Sequence, residues 1–205
     1  MLTVDERRSL LIDIIVRQQQ PGSGSCKEFL LKRTAEMKWT DLTKILSPIT
    51  WAVIGAVATR HYMPERTTKD LDCLISSDDG NAAREKFLAA GFEFQSELTI
   101  GGSSWLTPDG KAIDVIESRN EWVEEAIHQA QHNRDLQGLP ILPLQYLALM
   151  KYQAGRPQDI ADITRMLGQA NETMLLATRN TFLLWMPSAL KDLESLIRAG
   201  KLEML

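Results

Sequence analysis

The chain predicts an α+β protein: a small mixed sheet with flanking helices in its middle, followed by a C-terminal helical region. Three observations carry this. Short apolar runs of strand length cluster between residues 51 and 117. The tetrad Thr107-Pro-Asp-Gly110 is a strong turn signal between two of them. From Asn120 onward the pattern changes to helical spacing.

Taken in order, residues 4–18 carry Leu10, Leu11, Ile14 and Ile15 at helical spacing, and Pro21, Gly22 and Gly24 break the pattern. A second helical piece is predicted from Cys26 to Met37, and a short one after Thr40 that ends near Ser47-Pro48. Strands are predicted at 51–54, 71–76, 92–98, 102–106 and 112–117, with a helix over Asn81–Ala90 closed by Gly91. The runs 102–106 and 112–117 form a hairpin that brings Asp114 beside the strand at 71–76. Helices follow at 121–132, 143–153, 157–167, 171–184 and, after Pro187, 187–199. The expected organisation is an N-terminal helical segment (1–48), a core (49–140) and a C-terminal helical region (141–205).

The 205 residues allow one ordinary domain plus an appended segment, and the 44% hydrophobic and 24% charged fractions are those of a globular protein. No run has the apolar length of a membrane span, and the N-terminus lacks a signal-peptide layout, so a cytoplasmic protein without membrane contact is expected. Cys26 and Cys73 are too few for a disulfide framework and read as free thiols. The net charge of −4 is uneven: residues 46–142 carry eight Lys or Arg against fifteen acids, while the flanking segments are nearly balanced. The missing basic surplus argues against tight binding of long duplex nucleic acid, though a short or structured RNA stays open.

The chemistry is concentrated in Trp51–Arg60 and Arg66–Ile75. A buried strand runs into a glycine turn at Gly55-Ala56, where bare backbone can approach a phosphate. A second strand is entered through Asp70 and Asp72. In an extended segment these side chains point the same way, and two carboxylates held together repel unless a cation sits between them. Hard oxygen ligands suit Mg²⁺ or Mn²⁺.

The order strand, Gly-Ala turn, helix, Arg66-x-Thr68-x-Asp70-x-Asp72, strand resembles the polymerase-β-like nucleotidyltransferase superfamily, particularly its small bacterial branch of abortive-infection and toxin–antitoxin enzymes. The resemblance covers roughly residues 50 to 167. It implies catalytic, metal-binding carboxylates at Asp70 and Asp72, with Asp114, the acid in Lys111-Ala-Ile-Asp-Val-Ile116, as the third. It implies nucleotide contacts at Gly55 and Ala56, and at Arg66 and Thr68. The segment Lys151-Tyr-Gln-Ala-Gly-Arg-Pro-Gln-Asp-Ile-Ala-Asp162 matches a K-x-x-x-x-R-x-x-D-x-x-D pattern of the branch and adds Lys151, Arg156, Asp159 and Asp162. One departure is Ala56, which has no hydroxyl for a phosphate oxygen.

Each of these residues also has a plainer reading. Asp159, in a first helical turn after Pro157, would interact with the helix dipole, and Lys151 and Arg156 would be solvated at the surface or pair with Asp159 and Asp162. Thr68 would shape the turn. His128 and His132, four apart, lack the further ligands of a zinc site. Trp105 either packs inward or stacks a base.

The expected reaction transfers a nucleoside monophosphate from a triphosphate to a hydroxyl and releases pyrophosphate, with Mg²⁺ or Mn²⁺ as cofactor. The acceptor is open among an RNA end, a protein side chain and a small molecule, and a homodimer or a toxin–antitoxin partner is compatible. The rival reading is a non-catalytic relative, a binding or antitoxin-like protein, which Ala56 encourages and the three carboxylates oppose. A D-x-D phosphatase is disfavoured because here the acids precede the strand.

Overall fold

The computed structural model describes residues 3–23, 38–63, 68 and 70–204. The helix expected over 26–37, together with Cys26 and Arg66, lies outside these residues. Two compact units are present. One comprises Arg33–His61 and Glu65–Pro143, the other Met1–Lys32, Tyr62–Pro64 and Leu144–Leu205. No described helix is long and apolar enough to cross a membrane.

The first unit holds a five-stranded mixed sheet in the order β1-β2-β5-β4-β3. β1 (Ala52–Val53) pairs antiparallel with β2 (Leu71–Ser76), and β2 runs parallel to β5 (Ala112–Ser118). The hairpin expected around Thr107–Gly110 is β4 (Gly102–Leu106) against β5, and β3 (Glu93–Glu97) adds antiparallel to β4 as the edge. Gly110 supplies the left-handed turn at φ 79°, while Thr107 Oγ1 accepts the Lys111 N–H at 2.8 Å.

Alternation divides the sheet into two unlike faces. One carries Leu71, Cys73, Ile75, Ile113, Val115 and Trp105, all buried. Trp105 stacks near Phe87 of the helix Gly80–Ala89, with ring centroids 5.3 Å apart, and its Nε1 donates to Ser103 Oγ at 2.9 Å. It therefore packs inward. Arg84 of the same helix bridges Glu97 and Glu117, and its hydrogen bond to Glu97 holds that carboxyl below its usual range. The opposite face carries the acids.

The second unit is helical: α1 (Val4–Gln18), then Leu144–Ala154, Pro157–Gln169, Glu172–Trp185 and Leu190–Glu203. The buried positions of α1 are Arg8 and Ile12, whereas Leu10 and Ile14 are exposed. Arg8 lies over the Tyr152 ring at 4.2 Å, so part of the buried face of α1 is a cation on an aromatic ring. The helices Pro157–Gln169 and Leu190–Glu203 touch backbone to backbone. A Cβ on Gly168 would meet the Gly200 carbonyl oxygen at 2.4 Å, so any side chain there forces the two helices apart.

Candidate active site

The site is assembled by two local features and one long-range register. Ile54 is extended, Gly55 turns left-handed at φ 62°, and a short helix, Gly55–Thr59, begins there. Only glycine adopts that backbone without strain. A second reason is spatial: a Cβ on Gly55 would stand 1.8 Å from Asp72 Oδ2. The carboxylate of the D-x-D pair is thus laid against the bare backbone of the turn, and the Ile54 N–H donates to the Asp72 carbonyl at 2.9 Å to hold the two segments together.

The register between β2 and β5 sets Asp72 directly opposite Asp114. Paired residues on neighbouring strands share a face and lie about 4.8 Å apart across the ladder. Asp72 and Asp114 therefore stand side by side, one inter-strand step apart, and both are half-buried. Their charge reaches through the sheet: the Cys73 thiol is pushed well above its ordinary range, first by burial and then by Asp72 and Asp114.

Asp70 is exposed and precedes the first residue of β2. Thr68 Oγ1 donates to the Asp70 carbonyl at 3.4 Å, a turn contact. Ala56 is buried, so its contribution to any ligand is confined to its backbone. Among the described residues, no three His, Cys, Asp or Glu side chains converge on one point as a ready-made metal cage. His128 and His132 lie with ring centroids 5.8 Å apart.

No family model matches the chain. A CC-adding tRNA nucleotidyltransferase of Deinococcus radiodurans is 27% identical over 100 residues, which is 49% of this chain and 25% of that enzyme. The chain thus matches about a quarter of that relative's length. Over those 100 residues the chain is similar to a nucleotidyltransferase. More distant likenesses are the antibiotic-resistance factor ANT(2'')-Ia, 13% identical over 77% of this chain and 88% of that one with a TM-score of 0.44, and a cytoplasmic RNA terminal U-transferase, 15% identical over 80% and 52% with a TM-score of 0.31. Likenesses at this level say nothing about substrate.

In the helical unit the downstream motif has its own geometry. Lys151 is 5% exposed, and its Nζ donates to Asp159 Oδ1 at 3.1 Å and to Asp162 Oδ2 at 2.8 Å. Arg156 closes on Asp159, and Gln158 Nε2 donates to Asp162 Oδ1 at 2.8 Å. All four charged residues belong to the helical unit. Of the two plainer expectations for Lys151, surface solvation and pairing with Asp159 and Asp162, the structure has the pairing.

One residue on the acid-bearing face carries no sequence signal of its own. Ser104 of β4 is directly opposite Asp114, on the side away from Asp72. Counting back from the hairpin turn finds it, since Leu106 pairs Ala112 and the register then pairs Ser104 with Asp114.

Proposed function

We propose that the protein transfers a nucleoside monophosphate from a nucleoside triphosphate to a hydroxyl acceptor. The observation that carries this reading is the row formed by Gly55, Asp72 and Asp114. It sets a bare backbone turn, able to approach a polyphosphate, against one carboxylate and directly beside a second.

In the proposed reaction the acceptor oxygen attacks the α-phosphorus in line. A bond forms between them, the bond from the α-phosphorus to the oxygen bridging to the β-phosphate breaks, and pyrophosphate leaves with that electron pair. Asp114 accepts the proton of the acceptor hydroxyl. The backbone of Gly55 and Ala56 orients the phosphates, with Arg66 and Thr68 on the segment that leads into Asp70.

The donor set fits a hard divalent cation: carboxylate oxygens, two of them from facing positions on adjacent strands, next to a turn where a side chain would fill the space. Asp72 and Asp114 would hold Mg²⁺ or Mn²⁺, with Asp70 joining from the strand entrance. The bound ion would supply charge to the phosphate oxygens and lower the pKa of the attacking hydroxyl. The Lys151-to-Asp162 pattern supports placing the chain in the small bacterial branch, with a second copy or an antitoxin as its protein partner. We read Lys151, Arg156, Asp159 and Asp162 as maintaining the helical unit first, and any contact of Lys151 with phosphate as requiring release from its two aspartates.

A second reading, a non-catalytic nucleotide-binding relative, is favoured by Ala56, which offers no hydroxyl. The test is to incubate the protein with each α-labelled triphosphate, Mg²⁺ and a cell extract. Transfer of label by the wild type and its loss in the Asp72→Asn, Asp114→Asn double variant supports the enzyme. Triphosphate binding without any transfer supports the binding protein.

A further inference from the structure

The sheet orders the proposed reaction along one line, and that order says where the acceptor lies and what kind of molecule it is. Gly55 is pressed against Asp72, so the phosphate end belongs at β1 and β2. Asp114 comes next, on β5. The register continues in the same row through Ser104 on β4 to Ser96 on β3. Directly paired residues share a face, so the side of Asp114 away from the phosphates is lined by two serines.

These serines differ from their neighbour. Ser103 faces the opposite side, is buried, and accepts the Trp105 indole N–H. Ser104 is half-buried, and Ser96 is exposed. Among the described residues no hydrogen bond is made by the Ser104 hydroxyl, which leaves it able both to donate to and to accept from a ligand.

The charge of this half of the sheet is equally informative. From Phe92 to Lys111, through β3, β4 and the turn into β5, there is one cation; of the three acids, Glu97 lies on the other face and is bonded to Arg84, leaving Glu93 and Asp109. The cation, Lys111, is bound to Asp109 at 2.8 Å. Proteins that hold a nucleic-acid strand do so mainly through Lys and Arg on its phosphates, and such groups are missing where the acceptor would lie.

We propose that the acceptor sits over β4 and β3, that Ser104 hydrogen-bonds it beside Asp114, and that it is a neutral or cationic hydroxyl compound without phosphate groups. This rests on the transferase reading above. In its terms, Ser104 holds the oxygen that attacks the α-phosphorus while Asp114 takes that oxygen's proton.

The experiment follows label from α-labelled triphosphate into a cell extract with the full chain as wild type, Ser104→Ala and Ser104→Thr. Products are divided by ribonuclease treatment, and triphosphate affinity is measured separately by calorimetry. The expected result is label that survives ribonuclease. Ser104→Ala should lower labelling at limiting acceptor by about tenfold, as one lost hydrogen bond would, with unchanged triphosphate affinity and melting temperature. Ser104→Thr, which keeps the hydroxyl, should restore much of it. Label that ribonuclease removes, or a Ser104→Ala variant that labels like the wild type, overturns the proposal. A wild type that binds triphosphate and labels nothing overturns the transferase reading itself, and this inference with it.

Discussion

Aspartates in the two units keep opposite company. In the helical unit Asp159 and Asp162 are almost fully buried, and each accepts a hydrogen bond from Lys151. In the sheet unit Asp72 lies against a glycine turn and is paired in register with a second acid, Asp114. Residue type is the same in both. A set of acids bonded to a buried ammonium holds helices together, whereas two acids in register on one sheet face repel each other and form a donor set suited to a cation. The partner across the gap, more than the motif, separates a structural charge from a chemical one.

Breaking the helical network should have the largest effect on stability. Lys151→Met leaves two buried carboxylates without their ammonium, and removing one partner of such a set costs about 3–5 kcal/mol. Denaturant unfolding should show this. Binding of tri- and monophosphate should weaken equally in the variant, in step with the loss of fold. A selective loss of triphosphate binding would instead give Lys151 a direct hold on the β and γ phosphates.

The converse change in the sheet should spare the fold and remove the chemistry. Asp114→Asn relieves a like-charge neighbour, so the melting temperature should stay level or rise. Transfer of labelled nucleotide should fall by about 10²–10³, the scale for loss of one well-placed electrostatic group. Gly55→Ala sharpens the same contrast. Its left-handed backbone alone costs about 1–2 kcal/mol, and the new methyl collides with the Asp72 carboxylate, so activity should drop further than stability.

Much of this was legible in the amino-acid order because the signals are local. The five strands, the hairpin turn and the helices after Asn120 follow from periodicity and turn residues. Lys151 was harder to read: a lysine at a helix end suggests solvent, and only the packing of Leu144–Ala154 against Pro157–Gln169 buries it. The approach of Gly55 to Asp72 and the pairing of Asp72 with Asp114 are contacts between distant segments. They depend on register, which a one-residue slip would invert. Ser104 was missed for the same reason, since a serine in a strand has no pattern of its own and only the register counted back from the hairpin turn places it opposite Asp114.

The smallest effect expected is at the surface of the helical unit. The Glu194 carboxyl is held below its usual range, chiefly by its hydrogen bond from Arg179. A carboxyl with a lowered folded pKa stabilises the protein above its unfolded pKa, and that contribution is lost as pH falls through the folded value. Glu194→Gln should therefore flatten the acid limb of the stability curve below about pH 4.5, by at most about 1 kcal/mol because the pair is solvent-screened. Transfer activity at neutral pH should not change.

The central claim is that the Gly55–Asp72–Asp114 row binds a cation together with a triphosphate. Thermal unfolding with Mn²⁺ and a triphosphate analogue that cannot transfer tests it most directly, since a ligand that binds only the folded state raises the melting temperature. The wild type should show that rise, and the Asp72→Asn, Asp114→Asn double variant should show none while remaining folded. An equal rise in both proteins would put the cation and the nucleotide elsewhere in the molecule.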